Sequence, residues 1–465
     1  MSFKQVLEKH QGIALIDQNG SEITYSQLCL KTKQINKELN RINNNNRLLI
    51  FIRCQQNMAT VLAITTVLRG NHVAVLIPEA MDETMLSELI DIYLPNIIYH
   101  TDDTNQNIEN LGNKTHVLHA DLCLLLSTSG TTGTPKQVKL SNSNLYENAK
   151  SIATYLELSK KDRAITSLPL SYSYGLSVLT SHLYAGASVL VSNASIMTRP
   201  FWQQIKQYQV TGLTGVPYTY EIYKKLKLTD RELPFLKTLT QAGGKLAPEL
   251  VTYFAEYAAE TSRRFFIMYG QTEATARMSY LASDQVLKYP NSIGVEIPGG
   301  CFELIDIDNQ LITTVNKQGE LIYKGPNVMM GYANNSDDLA CGAELTSLHT
   351  GDIAYRDIEG RYYITGRKSR FIKISGLRIN LSDVEKILLE NGFDSACTGQ
   401  DDALVIMIKS EDDLSEQVKQ IIHERLRIYP GVISVKNTSS FPYNENGKKD
   451  YIKVYQQVTG LLYNG

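Results

Sequence analysis

Through the first two thirds of the chain, stretches with apolar residues at helical spacing alternate with short unbroken apolar runs. Residues 58–68 predict a helix, 73–77 a strand, 85–93 a helix and 96–99 a strand, and 166–168, 188–192 and 237–241 are expected as further strands. Such βα alternation predicts largely parallel sheets covered by helices. After about Gly294 the runs shorten. Residues 302–305, 319–323 and 361–364 read as strands separated by turn residues, which predicts an antiparallel meander or small β-barrel subdomain. Beyond Arg367, 382–391 and 414–427 carry amphipathic helical patterns, while 403–408 and 432–436 read as strands. The expected fold class is therefore α/β: a large N-terminal domain over residues 1–368, then a small α+β domain over 369–465, within the size of an independent unit.

Length agrees with this division, since 465 residues exceed what one core usually serves. With 43% hydrophobic and 20% charged residues, the chain is neither collagen-like, nor a coiled coil, nor wholly disordered. Lys plus Arg number 46 against 48 Asp plus Glu, so no basic field exists to neutralise a phosphate backbone, and nucleic acid is not an expected partner. Unbroken apolar runs such as 48–52 and 122–126 are short, and the first ten residues lack an apolar core, so neither a signal peptide nor a membrane span is expected. The six cysteines fall into no metal-ligand pair or disulfide lattice, which reads as reduced, mostly buried thiols in a cytoplasmic protein. The asparagine run 43–46 reads as a polar turn.

The segment richest in chemistry is 124–140. An apolar strand runs into an unbroken Ser, Thr and Gly stretch over 127–134, followed by Lys136. Gly130 and Gly133 let backbone N–H groups turn inward, Thr128, Ser129, Thr131 and Thr132 add hydroxyl donors, and Lys136 adds a point charge, the parts of a polyphosphate cradle. A Walker A loop needs Gly directly before the lysine and Ser or Thr after it. Here Pro135 and Gln137 flank Lys136, which disfavours a P-loop kinase or GTPase.

Ser127-Thr-Ser-Gly-Thr-Thr-Gly-Thr-Pro-Lys136 resembles the loop of the adenylate-forming (ANL) superfamily, which comprises acyl- and aryl-CoA synthetases, peptide-synthetase adenylation domains and firefly luciferase. Further motifs follow in order. Met268-Tyr-Gly-Gln-Thr-Glu-Ala-Thr275 matches Tyr-Gly-x-Thr-Glu; the resemblance implies that Tyr269 lies along adenine, Thr272 contacts the α-phosphate and Glu273 serves Mg2+. Gln241-Ala-Gly-Gly-Lys-Leu246 resembles the loop beside adenine, with Gly243 and Gly244 admitting the base. Gly319-Glu-Leu321 and Gly325-Pro-Asn-Val-Met-Met-Gly-Tyr332 resemble the barrel region. Asp352, in Thr350-Gly-Asp352, corresponds to the acceptor for the ribose hydroxyls, with Arg367 as a ribose or phosphate contact. Gly376 corresponds to the opening for a pantetheine arm, and Asn446-Gly-Lys448 to the catalytic lysine motif of adenylation. The similarity runs from about Ile23 to Lys448.

What the resemblance implies is a two-step ligase. A carboxylate attacks the α-phosphorus of ATP to give acyl-AMP and pyrophosphate, then a thiol of CoA, or of a carrier-protein phosphopantetheine as close second, displaces AMP. ATP, Mg2+ and CoA or phosphopantetheine are the expected cofactors, and a small carboxylic acid and an acyl carrier protein are possible partners. Lys448, Thr272 and Glu273 are the expected catalytic residues. A mobile C-terminal domain would rotate between the steps about a hinge where Ser369 replaces the usual Asp or Lys. Tyr172, Tyr174, Val216, Tyr218 and Thr275 are the expected acid-pocket residues and suggest an apolar, aromatic-lined cavity for a fatty or aryl acid. Ser173 stands where peptide-synthetase domains carry the Asp that meets an α-ammonium, and Ile267 where the family often has Asn. The alternatives are an amide- or ester-forming adenylate ligase and a non-catalytic nucleotide-binding regulatory member.

Overall fold

A computed structural model describes the chain except residues 1, 43–45, 102–105, 113–114, 128–135, 369, 375–376, 445–446 and 462–465. The chain divides into two compact units, one of Met1–Phe302 with Tyr323–Leu348, the other of Glu303–Ile322 with His349–Gly465.

The first unit is built on two sheets. In the seven-stranded sheet, Leu49–Cys54 pairs in parallel with both Val73–Pro78 and Ile97–Thr101, and Val73–Pro78 pairs in parallel with Leu122–Ser127; Gln137–Ser141 and then Gly331–Ala333 add antiparallel at one edge. Period-two alternation decides which core each side chain joins. Ile50, Ile52, Ala74 and Leu76 enter a core with the helix Met58–Arg69, whereas Leu49, Phe51, Val73 and Val75 pack with Leu86 and Leu89 of the helix Glu83–Tyr93 on the opposite face. The nine-stranded sheet has a parallel centre containing Gly212–Gly215, Thr238–Gln241 and Arg264–Tyr269. Its apolar face is covered by the helices Arg199–Gln207, Pro217–Lys225 and Pro248–Glu260.

The helices expected at 58–68 and 85–93 are present with slightly wider bounds, as are the strands at 73–77, 188–192 and 237–241 to within one residue. The strand expected at 166–168 runs instead over Arg163–Ile165. Apolarity misplaced it. Arg163 caps the strand by bonding Ser188 and the Tyr208 carbonyl, while Thr166 ends it through its hydroxyl, which donates to the Ser192 carbonyl at 2.9 Å. Pro169, with no N–H to donate, then turns the chain toward the helix Ser173–Tyr184.

The region expected as a meander or barrel carries the four-stranded sheet of Cys301–Ile305, Gly319–Lys324, Leu348–Arg356 and Tyr362–Arg367. The α+β part packs Leu381–Glu390 and Ser415–Leu426 on the sheet of Ser395–Gln400, Ala403–Lys409 and Ile433–Thr438. Arg370 joins it by a two-pronged pair with Glu385 at 2.8 and 3.0 Å, and the pairing carboxylate holds the guanidinium charged against the cost of burial. All six cysteines are free; Cys54, Cys123 and Cys397 are buried, Cys29 is half-buried, and Cys301 and Cys341 are exposed. Among the described residues no helix is long and apolar enough to cross a membrane.

Candidate active site

Three strand ends build the site of the first unit. Arg264–Tyr269 ends on Tyr269, half-buried, with its ring centroid 6.3 Å from that of Phe302. Gly270 follows because nothing larger fits: a Cβ there would stand 1.9 Å from the Ala276 carbonyl oxygen. One short 3-10 turn then carries Thr272 and Glu273. The Thr272 hydroxyl lies 3.1 Å from that of Ser173, and the Tyr332 hydroxyl donates to Glu273 Oε1 at 2.9 Å. Burial, with the Glu273 carboxylate beside it, raises the Tyr332 phenol above its ordinary range, so it stays a donor.

The turn closes on Thr275, at φ 66° and ψ −50°, with the Ala276 N–H bonded to the Ala274 carbonyl at 2.7 Å. This is a γ-turn of the strained hand, on a β-branched residue. Asn327, fully buried, holds it. Its Nδ2 donates to the carbonyls of Ala274 at 2.8 Å and Arg277 at 2.9 Å, its carbonyl accepts the Thr275 hydroxyl at 2.7 Å, and Tyr323 donates to its Oδ1 at 2.9 Å. Asn144 secures the same segment by donating to the carbonyls of Pro326 and Val328.

After the strand Thr238–Gln241, Gly243 adopts φ 87°, and a Cβ there would meet the Tyr172 hydroxyl at 2.7 Å and Val216 Cγ1 at 3.0 Å. Gly244 faces Pro217, which a Cβ would approach to 3.1 Å. Tyr172, Tyr174 and Val216 are buried in one apolar cluster, with Tyr218 packed against it. The Tyr174 hydroxyl is fixed on Thr240, and burial pushes the Tyr172 phenol up to about 12. Thr275 spends its hydroxyl on Asn327. Lys136, exposed just ahead of the strand Gln137–Ser141, places Nζ 5.7 Å from the Tyr332 ring centroid. The preceding cradle positions Thr128, Ser129, Gly130, Thr131, Thr132 and Gly133 lie outside the described residues.

In the second unit, adjacent strands set Asp352 opposite Arg367 in register, and Arg367 Nε donates to Asp352 Oδ1 at 2.7 Å. The carboxylate is nearly buried while the guanidinium is half open to solvent. Thr350 braces it by accepting from the Asp352 N–H. Lys448 is half-buried on a turn in which its N–H donates to Asn444 Oδ1 at 3.0 Å and its carbonyl accepts from the Asn444 N–H. Gly376 and the expected hinge at Ser369 lie outside the described residues.

Residues 95–333, just over half of the chain and containing all the first-unit site residues, match the profile of the AMP-binding enzyme family. The chain belongs to that family. This AMP-binding enzyme is thereby a member of the adenylate-forming superfamily whose motifs it carries. It is 34% identical over 276 residues to an oxalate–CoA ligase of Arabidopsis thaliana, a match covering 58% of this chain and 52% of the relative. With a luciferin 4-monooxygenase of Luciola mingrelica it shares 27% over 332 residues, 66% of this chain and 59% of the relative. The chain thus aligns with little more than half the length of these relatives. Its fold is that of an o-succinylbenzoate coenzyme A synthetase from Bacillus subtilis solved with AMP, at TM-score 0.77 and 22% identity over 96% of both chains.

Two residues that brace the site, Asn327 and Tyr332, carry no signal of that role in the sequence. Asn327 lay inside the quoted Gly-Pro-Asn segment, but its clamp on Ala274 and Arg277 joins positions about fifty residues apart. Tyr332 ends the same segment, and its bond to Glu273 likewise spans 59 residues.

Proposed function

We propose that this AMP-binding enzyme activates a carboxylic acid, fatty or aryl, as its acyl-adenylate and passes the acyl group to a phosphopantetheine thiol, with CoA ahead of an acyl carrier protein. The observation that carries the reading is the junction at Gly243. There a backbone stripped of its side chain meets Tyr172 and Val216 of an aromatic-walled cluster, close in sequence order and register to the strand end bearing Tyr269, Thr272 and Glu273. A flat base needs the first surface and an apolar acid the second.

In the first step a carboxylate oxygen bonds to the α-phosphorus and the bond from that phosphorus to pyrophosphate breaks. In the second the thiol sulfur bonds to the acyl carbon, the bond to AMP breaks, and the thiol proton passes to solvent. Thr272 donates to the α-phosphate, Asp352 accepts from the ribose hydroxyls and Lys448 offsets the charge gathering on the phosphate during the first step. Mg2+ fits Glu273 as a single oriented carboxylate sharing the ion with the nucleotide's phosphates, the usual manner for this ion, and among the described residues no larger acidic or histidine cluster offers another site. Bound there, it would neutralise phosphate charge. The names of the relatives as CoA ligases support CoA as acceptor.

Acid-dependent pyrophosphate release, with hydroxylamine trapping across fatty, aryl and amino acids and repeated with CoA and with holo carrier protein, tests the reading. No acid-dependent release with any acid would overturn it.

A further inference from the structure

Arg277 is 3% exposed, yet among the described residues no carboxylate bonds it. Its guanidinium carbon lies 3.8 Å from the centroid of the Tyr174 ring, and Nε reaches only the weak acceptor Sδ of Met268, at 3.4 Å. Tyr155 stands beside it, and the cation tempers the burial that raises that phenol. A buried charge without an anion costs free energy, which a stacked ring, a thioether and the hydrogen-bonded Tyr155 phenol, all neutral, offset only in part.

The same residue lines a cavity of about 30 Å³ together with Ser177, Thr214, Thr240 and His182. Most of its wall is apolar, and Ile152, Leu156 and Met268 of that wall belong to the same buried cluster as Tyr172 and Val216. Thr240 holds the Tyr174 hydroxyl, and Ser177 sits one helical turn after Ser173 and donates to the Tyr174 carbonyl at 2.7 Å. His182 bonds the Val178 carbonyl through Nδ1, and burial keeps the ring neutral. Asp162, the acidic residue of the lining, is already held by Ser159 and by Lys237 at 3.3 Å. The arrangement is a buried cation stacked on Tyr174 of the aromatic cluster, with a small, mostly apolar space beside it that Ser177, Thr214 and Thr240 also line.

We propose that Arg277 selects the acid: the substrate carries a second carboxylate, remote from the reacting one, which the Arg277 fork receives in two parallel hydrogen bonds. This rests on the adenylating role proposed above and names the substrate class for it, an aryl or short acyl dicarboxylate in place of a simple monoacid. A planar fork matches a carboxylate, and the ligand's charge ends the isolation of the buried cation.

The test pairs acids of one skeleton: succinate with butyrate, adipate with hexanoate, terephthalate with benzoate. In the unaltered protein at least one diacid should exceed its monoacid about 10²-fold in kcat/KM for pyrophosphate release. Arg277→Gln should raise KM for that diacid by about 10²-fold with a smaller change in kcat, and should lower KM for the matching monoacid. Arg277→Lys should fall between. A monoacid preferred in every pair, or a diacid preference that survives Arg277→Gln, overturns the inference and leaves ligase activity standing. If no acid is turned over, the ligase reading falls, and calorimetric binding of the same diacids decides the inference: binding lost in Arg277→Gln sustains it, equal binding overturns it. Should Arg277→Gln fail to fold, the paired acids on the unaltered protein and the Lys variant decide.

Discussion

A threonine at φ 66° is costly, and Asn327 helps to hold Thr275 there by accepting its hydroxyl and bonding the carbonyls on either side. Removing that amide would cost the carbonyls of Ala274 and Arg277 one donor each, leaving the Ala276 N–H on the first and Asn148 Nδ2 on the second, at roughly 1–3 kcal/mol together. Asn327→Ala should therefore lower the Tm by several degrees and slow adenylation more than it weakens overall folding, because the released turn carries Thr272 and Glu273. Thermal denaturation alongside pyrophosphate release checks this; an unaltered Tm would show that the clamp contributes nothing. Ser173 bears on the substrate at the same scale. Its hydroxyl meets Thr272 and offers an α-ammonium no charge, while the neighbouring Tyr174 carries the Arg277 cation on its ring. Burying an ammonium without a partner costs several kcal/mol. α-Amino acids should thus be adenylated at least about 10²-fold less efficiently than the best acid, roughly 2.7 kcal/mol. An α-amino acid with the highest kcat/KM would sink that expectation.

Among elements, the short strand Gly331–Ala333 is what brings Tyr332 to Glu273. It adds to Gln137–Ser141 at the sheet edge, and the Met329 N–H bonds the Glu273 carbonyl at 2.9 Å, so a distant segment braces the turn from outside. A carboxylate oriented in this way should bind Mg2+ better than a freely rotating one. Tyr332→Phe keeps the ring near Lys136 and removes only the hydroxyl. The Mg2+ concentration for half-maximal pyrophosphate release should rise about 10-fold. A superimposable Mg2+ titration would mean that the hydroxyl does not orient Glu273.

For the whole molecule, Lys448 and the Asp352–Arg367 pair stand in one compact unit, and Thr272 with Gly243 and Gly244 stands in the other. If the second unit presents Lys448 only while the acid attacks ATP, Lys448→Ala should lower adenylation about 10²-fold or more, while thiolysis of supplied acyl-AMP largely survives. Equal losses in both half-reactions would remove the case for alternation between units. The expected boundary at 368/369 marks where such a hinge is proposed, whereas the compact units part at Phe302, Ile322 and Leu348.

Period-two and helical spacing were enough to read βα layers and most element bounds, because a side chain's face follows from its position within one segment. Where a single polar contact ended an element, as at Thr166, apolarity alone misplaced the strand. Ordered motifs were enough to identify the family, since each motif lies within a few consecutive residues. Tertiary structure alone decided what depends on segments far apart in the chain: that Asn327 locks the γ-turn at Thr275, that Tyr332 reaches Glu273, and that Gly243 must lack a side chain because Tyr172 and Val216 crowd it. It also decided that Arg277, an ordinary charged residue in the sequence, lies buried against Tyr174, because only packing removes a cation from water.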